Sequence, residues 1–184
     1  MSKIKTKKLI LEYSYLNLEK EEVTQTCFDT EKEIKNYIMK HYPEEHDIIY
    51  NQTTPEPQPE ADDSEDKTDF IPKNKELKKL YHRITKKTHP DKTGNDDYSS
   101  IFSDAVKAYK DNNLGRLLEI ASQLNIELGN LSKGALNLLE KNVDSVKKEI
   151  HTKKSTVAWA WSQDSSGEAR KHLIEFLIDQ RRKQ

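Results

Sequence analysis

The stretch KKLYHRITKKTHPDKTGND, residues 78–96, decides the fold because a strong helical pattern ends abruptly within it. Together with the residue just before the stretch, its apolar side chains recur at i, i+3, i+4 and i+7, at Leu77, Leu80, Tyr81 and Ile84. That spacing predicts an amphipathic helix. Pro90 cannot extend a helix and biases His89 away from helical backbone angles. The sequence therefore predicts that the helix ends in a turn that holds His89, Pro90 and Asp91.

The charged residues of this helix are predicted to lie opposite its apolar face. At about 100° per residue, the opposite side carries Lys79, His82, Arg83 and Lys86. Residues 76–92 contain six Lys or Arg and two acidic residues, a net charge of +4. A charge run of this kind is most often a solvated surface. The turn fixed beside it favours a functional surface, but His-Pro-Asp on its own is a weak signal that a simple turn also explains.

Two further helices are predicted after the turn. The first begins near Asn95 or Asp96, either of which can cap a helix, and its apolar residues are Tyr98, Ile101, Phe102, Ala105 and Tyr109. The second follows Asn113 and stops near Gly129, and its apolar residues are Leu114, Leu117, Leu118, Ala121 and Leu124. Glycine is a common residue just past a helix end. These two helices and the basic helix are predicted to share one small core.

The N-terminal region is predicted to be helical, although one part of it fits two patterns. Residues 6–24 alternate as a strand would at Leu9, Leu11, Tyr13 and Tyr15. They also follow a helical stripe at Leu9, Tyr13, Leu16, Lys20 and Val23, and we favour the helix. Thr30 and Glu33 form a capping box, which predicts that a separate helix begins there and ends at Pro43.

The C-terminal region is predicted to form a helical hairpin. From Leu131 one long helix is expected, with Ala135, Leu138, Leu139, Val143, Val146, Ile150, Val157 and Trp161 along its apolar face. Ser165 and Glu168 form a capping box for the returning helix. Because aromatic side chains dominate core energetics, Trp159 and Trp161 are better candidates for closing this hairpin than for a ligand cage.

The composition favours several small helical units over one large core. Of 184 residues, 33% are hydrophobic and 34% are charged, against about 25% charged in ordinary globular domains. Residues 51–69 contain three prolines, seven acidic residues and one lysine, which predicts a disordered or extended linker. The predicted organisation is all-α, with an N-terminal helical segment at 1–50, the linker at 51–69, a small helical domain at 70–129 and the hairpin at 130–184.

Several classes of function are disfavoured by what the sequence contains. Cys27 is the single cysteine, so neither an intramolecular disulfide nor a cysteine-rich zinc site can form within the chain. The six histidines lack metal-ligand spacing, and there is no Gly-rich phosphate loop. We therefore expect no metal, no cofactor and no ATP hydrolysis by the chain itself. With no run of 18 apolar residues and no signal peptide, we expect a cytoplasmic protein that does not enter a membrane.

Two linked motifs give the chain a family resemblance over roughly residues 70–125. The first motif is the basic helix and its turn, with Leu77, Lys78, Lys79, Tyr81, Arg83, Lys87, His89, Pro90, Asp91 and Lys92. The second is Phe102, Ala105, Ala108 and Tyr109, in the pattern F-x-x-[apolar]-x-x-A-Y. The pair resembles helix II, the HPDK loop and helix III of the J-domain family, the DnaJ-type co-chaperones.

The resemblance implies a function that depends on a second protein. In the J-domain family, the domain docks on a DnaK-type chaperone, a member of the heat shock protein 70 family, and stimulates its ATP hydrolysis. For this chain, the resemblance implies docking by the basic residues Lys78, Lys79, Arg83, Lys86, Lys87 and Lys92. Stimulation is assigned to His89, Pro90 and Asp91, and the domain core to Leu77, Leu80, Tyr81, Ile84, Phe102, Ala105 and Tyr109. The chain would then be a co-chaperone for an unknown client rather than an enzyme.

The chain also departs from the family pattern. No Tyr-x-x-Leu-Gly helix I precedes residue 76. Three possibilities follow: Phe70 and Ile71 take its place, the N-terminal helix with Ile34 and Ile38 folds back, or the domain is a minimal one. Thr88 stands where an aromatic residue often precedes the histidine. The Gly/Phe-rich segment and the CxxCxGxG zinc repeats of many family members are also absent from the sequence.

Two other functions compete with the co-chaperone hypothesis. A helical nucleic-acid-binding protein could use Lys79, Arg83 and Lys86 on phosphate groups, although a sequence pI near 6.6 and the acidic linker argue against it. A structural helical protein with a decayed J-domain is the third possibility. In each case the C-terminal hairpin is a candidate for self-association or client contact.

Overall fold

The structure is a computed structural model, and it describes residues 3–50, 74–89, 98–164 and 166–182. Within those ranges the chain forms eight helices and no strand, which confirms the predicted all-α fold. They are α1 (Lys3–His41), α2 (Pro43–Tyr50), α3 (Lys75–Thr88), α4 (Ser99–Lys110), α5 (Leu114–Gln123), α6 (Lys133–Lys154), α7 (Val157–Gln163) and α8 (Gly167–Arg182). The predicted linker at 51–69, together with Phe70 and Ile71, lies outside the described residues.

The chain divides into two compact units. The first comprises Met1–Leu18 and Lys67–Lys148, and the second comprises Glu19–Asp66 and Glu149–Gln184. The first unit therefore contains α3, α4 and α5 with the first parts of α1 and α6. The second contains α2, α7 and α8 with the remaining parts of α1 and α6.

The core of the first unit is built on three helices that all contact one another, α3, α4 and α5. Its buried residues include Leu77, Leu80, Ile84, Ala105, Ala108, Leu114, Leu117, Leu118 and Ala121. Leu9 and Ile10 of α1, with Tyr81 and Tyr109, are partly buried against this cluster. The apolar faces expected for the three helices thus meet in one place, and α1 adds a fourth contributor to the same core.

Two ion pairs show the direction in which α1 and α6 run within the first unit. Lys5 pairs with Glu140 at 2.8 Å, and Glu12 pairs with Lys147 at 2.6 Å. Both partners advance by seven residues in the same direction, so these segments of the two helices are parallel. The hydrogen bond to Glu12 raises the pKa of Lys147. The buried residues of these two helix segments include Tyr13, Leu16, Leu136, Leu139, Val143 and Val146.

The second unit has its own core around Trp161, which is only 1% exposed. The ring of Tyr37 meets it edge-on at 5.2 Å, and the guanidinium of Arg170 lies 4.9 Å from its centroid. Arg170 is held by Glu33 at 2.9 Å. The preference for a core role is confirmed for Trp161, while Trp159 is half-buried beneath Lys154.

One predicted helix start and the length of one predicted helix are wrong. Thr30 does not begin a helix, because α1 runs unbroken to His41. The Thr30 side chain lies on the buried side of α1 and is only 6% exposed. The predicted long C-terminal helix ends at Lys154. A new helix, α7, starts after Thr156, whose hydroxyl accepts a hydrogen bond from the Trp159 backbone N–H at 3.3 Å.

The predicted end of α5 near Gly129 is also wrong. The helix stops at Gln123, and Asn125 adopts a positive φ of 51°. The N–H of Ile126 then bonds the carbonyl of Ala121 at 2.8 Å, as in a Schellman motif. The chain thus ends this helix with an asparagine, which tolerates left-handed backbone angles better than most residues.

Two predicted helix starts lie at or near gaps in the described ranges, and a third lies well inside them. Asn95 and Asp96 are outside the described residues, and α4 begins at Ser99. Ser165 is also outside them, and the neighbouring Ser166 hydroxyl accepts from the Ala169 N–H at 3.3 Å at the start of α8. The predicted start after Asn113 is confirmed, because α5 begins at Leu114 and the Asn113 side chain caps it by accepting from the Arg116 N–H at 3.0 Å.

Candidate functional site

The basic helix α3 is fixed at its N-terminus and along one side. The side chain of Asn74 caps it by accepting from the N–H groups of Glu76 at 2.9 Å and Leu77 at 3.3 Å. Its buried residues are Leu77, Leu80, Ile84 and Thr88. Thr88 is fully buried, and its hydroxyl donates to the carbonyl of Ile84 at 3.0 Å. A threonine therefore fills the position before His89 without leaving a buried polar atom unpaired.

The opposite side of α3 is basic and exposed, as the sequence predicts. The exposed residues are Lys78, Lys79, His82, Arg83, Lys86 and Lys87. Lys87 donates to the carbonyl of Leu124 at 2.9 Å, at the C-terminal end of α5, where the helix dipole favours a positive charge. Neither Lys79 nor Arg83 has an ion-pair partner among the residues that the structure describes. These two side chains remain available to a partner molecule.

His89 marks the point where the chain leaves α3. Its N–H still bonds the carbonyl of Thr85 at 2.9 Å, but its φ of −62° and ψ of 126° are extended rather than helical. Its imidazole meets the ring of Phe102 edge-on at 5.3 Å, with 74° between the planes. This contact ties the end of α3 to α4 and restricts the histidine. Pro90, Asp91 and Lys92 lie outside the described residues.

Two stacked tyrosines join α3 to α4 further along. The rings of Tyr81 and Tyr109 lie 4.1 Å apart with 16° between their planes. Burial, and then the neighbouring Tyr109, raise the pKa of Tyr81, while burial raises the pKa of Tyr109. Both phenols therefore stay protonated at neutral pH, and the stack adds contact between the helices without adding charge.

The connection between α5 and α6 lies beside the basic side of α3. The carboxylate of Glu76 accepts from the Ser132 N–H at 2.9 Å and from its hydroxyl at 2.6 Å. Lys79 and Arg83 line a cavity of about 210 Å³ with Leu80, Leu118 and Leu128 among its other walls. Sequence patterns gave no sign of this arrangement, because its partners are far apart in the chain, 56 residues in the case of Glu76 and Ser132.

Sequence patterns also did not predict a polar cluster at the start of α5. Tyr13 donates to the side chain of Asn113 at 2.9 Å, and Asn142 accepts from the Leu114 N–H at 2.9 Å. The ring of Tyr13 lies so close to Gly115 that a Cβ there would be 2.6 Å from it. The glycine in the first turn of α5 was the available signal, since glycine inside a helix often marks a close approach.

The described residues offer no other site of this kind. They contain no group of three or more His, Cys, Asp or Glu side chains placed to hold a metal ion. Among the helices that the structure describes, none is both long enough and apolar enough to span a bilayer. The exposed basic side of α3 and the His89 turn therefore form the candidate site.

Comparison with protein-family models, curated proteins and solved structures finds no match for this chain. A functional assignment must therefore rest on its own residues. The relevant features are the buried side of α3, its exposed basic side and the histidine turn that follows.

Proposed function

We propose that the protein is a J-domain co-chaperone. It docks on a DnaK-type chaperone of the heat shock protein 70 family and stimulates ATP hydrolysis by that chaperone, to which it delivers a client protein. The chain itself performs no catalysis in this proposal, and the reaction belongs to the partner.

One observation carries the proposal: α3 is anchored by its apolar side and exposes its basic side directly before His89-Pro90-Asp91. A helix anchored in this way holds its charges in a fixed pattern. Exposed lysines and arginines add little affinity each, but together they steer encounter with an acidic surface. The basic residues thus suit the docking role that the family resemblance implies.

The helix that follows supports the same proposal. Phe102 packs on the ring of His89, and Ala105, Ala108 and Tyr109 face α3 in the shared core. These are the residues of the second motif. Their contacts hold the end of α3 and restrict the ring of His89. A restricted histidine suits a group that must reach one position on a partner.

The position of α1 indicates what replaces the family-type helix I that the sequence lacks. Leu9 and Ile10 pack against the core of α3, α4 and α5, and Tyr13 bonds Asn113 at the start of α5. Ile34 and Ile38, which the sequence offered as one of three possibilities, are buried in the second unit. We infer that the N-terminal end of α1 stabilises the domain in place of a family-type helix I.

Reversing two charges on α3 is expected to weaken docking without removing the response. In the Lys79→Glu/Arg83→Glu variant, the concentration giving half-maximal stimulation of the chaperone should rise about tenfold at low salt, because two steering charges are inverted. The maximal rate should stay near that of the wild type, since the residues of the turn are unchanged. A titration of single-turnover ATP hydrolysis measures both quantities.

The matched control is Lys141→Glu/Lys148→Glu, which inverts two exposed lysines of the same unit on α6. It should leave the titration unchanged. An equal shift in the control would mean that net charge, and not the basic side of α3, governs docking. A wild type that binds DNA or RNA in a salt-dependent way, and gives no stimulation, would favour the nucleic-acid hypothesis instead.

A further inference from the structure

One side of α1 exposes large apolar residues at a regular interval. Ile4, Leu11 and Leu18 are seven residues apart, and Tyr15 lies one turn after Leu11. Each of the four is between 60% and 67% exposed. At about 100° and 1.5 Å per residue, they fall within about 60° of the helix circumference and extend over about 21 Å. We call these four residues the exposed stripe.

The exposed stripe does not belong to the core, because the opposite side of α1 makes the core contacts. Leu9 packs on the core of the first unit, and Tyr13 and Leu16 are buried. Leu11 also lines a cavity of about 390 Å³ that includes Leu128, so apolar surface continues beyond the helix. Contiguous exposed apolar surface on a soluble protein marks an interaction site.

The charges near the exposed stripe identify the partner that it fits. Lys7 and Lys8 are exposed near its start, and Glu21 and Glu22 are exposed just past its end. None of these four has an ion-pair partner within the described ranges. An antiparallel second copy of the helix would bring the lysines of each protomer to the glutamates of the other. A parallel copy would bring like charges together, which is unfavourable.

We propose that the exposed stripe is a homodimer interface in which two α1 helices pair antiparallel. In this arrangement Leu11 of one protomer faces Leu18 of its partner, the two Tyr15 rings meet at the two-fold axis, and Lys8 faces Glu22. Every contact occurs twice, because a two-fold interface uses the same surface on both protomers. All of these residues lie on one uninterrupted helix, so helical spacing alone sets the register.

The dimer is expected to be weak. A standard stable interface uses about 20–30 residues per side, far more than the exposed stripe and its charges provide. The lysine–glutamate contacts are at the surface, so salt should screen them. Association should therefore appear at high protein concentration and low ionic strength.

Sedimentation of the full chain over a concentration series tests the proposal. The wild type should shift from monomer toward dimer as concentration rises. The Leu11→Glu/Leu18→Glu variant should stay monomeric, with a dissociation constant raised roughly a hundredfold or more, because each lost apolar contact is present twice. Phe28→Glu is the matched control. Phe28 is 53% exposed on the same helix but lies about 110° around it from the centre of the exposed stripe. The Phe28→Glu variant should dimerise as the wild type does.

A charge exchange tests the antiparallel register even if the apolar variant loses structure. Lys8→Glu should weaken the dimer about tenfold, since it places two glutamates together at two symmetrical positions. Lys8→Glu/Glu22→Lys should restore wild-type association, because the pair is rebuilt with its signs exchanged. In a parallel dimer residues 8 and 22 would not meet, so failure of this rescue would overturn the antiparallel arrangement.

Two further results would overturn the proposal. One is a wild type that remains monomeric across the whole series at low salt. The other is loss of association in Phe176→Glu, at an exposed residue of α8, while Leu11→Glu/Leu18→Glu still dimerises. That outcome would place self-association on the C-terminal hairpin instead.

Discussion

Asp91→Asn is expected to return ATP hydrolysis by the chaperone to near its unstimulated rate, since truncating one partner of a buried charge pair costs roughly 2–5 kcal/mol, more than the about 1.4 kcal/mol that a tenfold stimulation represents. A carboxylate can form a bidentate pair with an arginine of the chaperone. Asparagine has nearly the same size but no charge, so it loses that pair while it still fits the turn. Single-turnover hydrolysis by the chaperone at saturating variant concentration measures the loss.

Asp111→Asn is the control for this change. Asp111 is exposed at the end of α4, in the same unit, and the substitution removes the same charge. It should stimulate as the wild type does. His89→Gln should also lose stimulation, and it should lose the edge-on ring contact with Phe102 as well. Circular dichroism must show an intact fold in all three variants, and wild-type stimulation by Asp91→Asn would contradict the assigned role of the turn.

Gly115→Ala is expected to lower the free energy of unfolding by about 1–3 kcal/mol, although alanine normally favours a helix. The added Cβ would lie 2.6 Å from the ring of Tyr13, which is only 2% exposed and is bonded to Asn113. Ring and helix must therefore move apart. Chemical denaturation, monitored by circular dichroism, measures the change in the free energy of unfolding.

Gly134→Ala is the matched control in α6. A Cβ there meets only the Ser132 hydroxyl, at 3.8 Å, so this substitution should stabilise the protein by about 0.4–1 kcal/mol. In a Tyr13→Ala background, Gly115→Ala should lose most of its cost, because the ring that it clashes with is gone. Equal effects of the two glycine substitutions would show that Tyr13 does not constrain α5.

The helices with a strong local signal could be predicted from the sequence. The 3.6-residue spacing of Leu77, Leu80 and Ile84 located α3, and Pro90 explains why His89 leaves it. The helical stripe at Leu9, Tyr13 and Leu16 outweighed the strand-like alternation because it is the side of α1 that makes the core contacts. The alternating residues Leu11 and Tyr15 are exposed instead.

The predicted helix boundaries were wrong where the local sequence signal was ambiguous. Thr30 and Glu33 match a capping box, but Thr30 lies on the buried side of a continuous α1. Val157 and Trp161 continue the spacing of α6, so periodicity could not reveal the break at Thr156. In both places a threonine could serve as a cap or as an interior residue, and packing decided between them.

The surroundings of the candidate site could not be predicted for a different reason. Contacts such as Lys87 with Leu124 and Tyr13 with Asn113 join residues 37 and 100 positions apart. They depend on how the helices pack, and no local spacing encodes that. The basic residues of α3 were predictable because their exposure follows directly from the burial of the opposite side.

We propose that this chain stimulates a DnaK-type chaperone through His89, Pro90 and Asp91 at the end of α3. The most direct test is the rate of hydrolysis of prebound ATP by such a chaperone in a single turnover, with and without saturating full-length protein. We expect the wild type to raise the rate by about tenfold or more, as follows when binding favours the hydrolysis-competent state by at least about 1.4 kcal/mol. An unchanged rate with bound wild-type protein would contradict it.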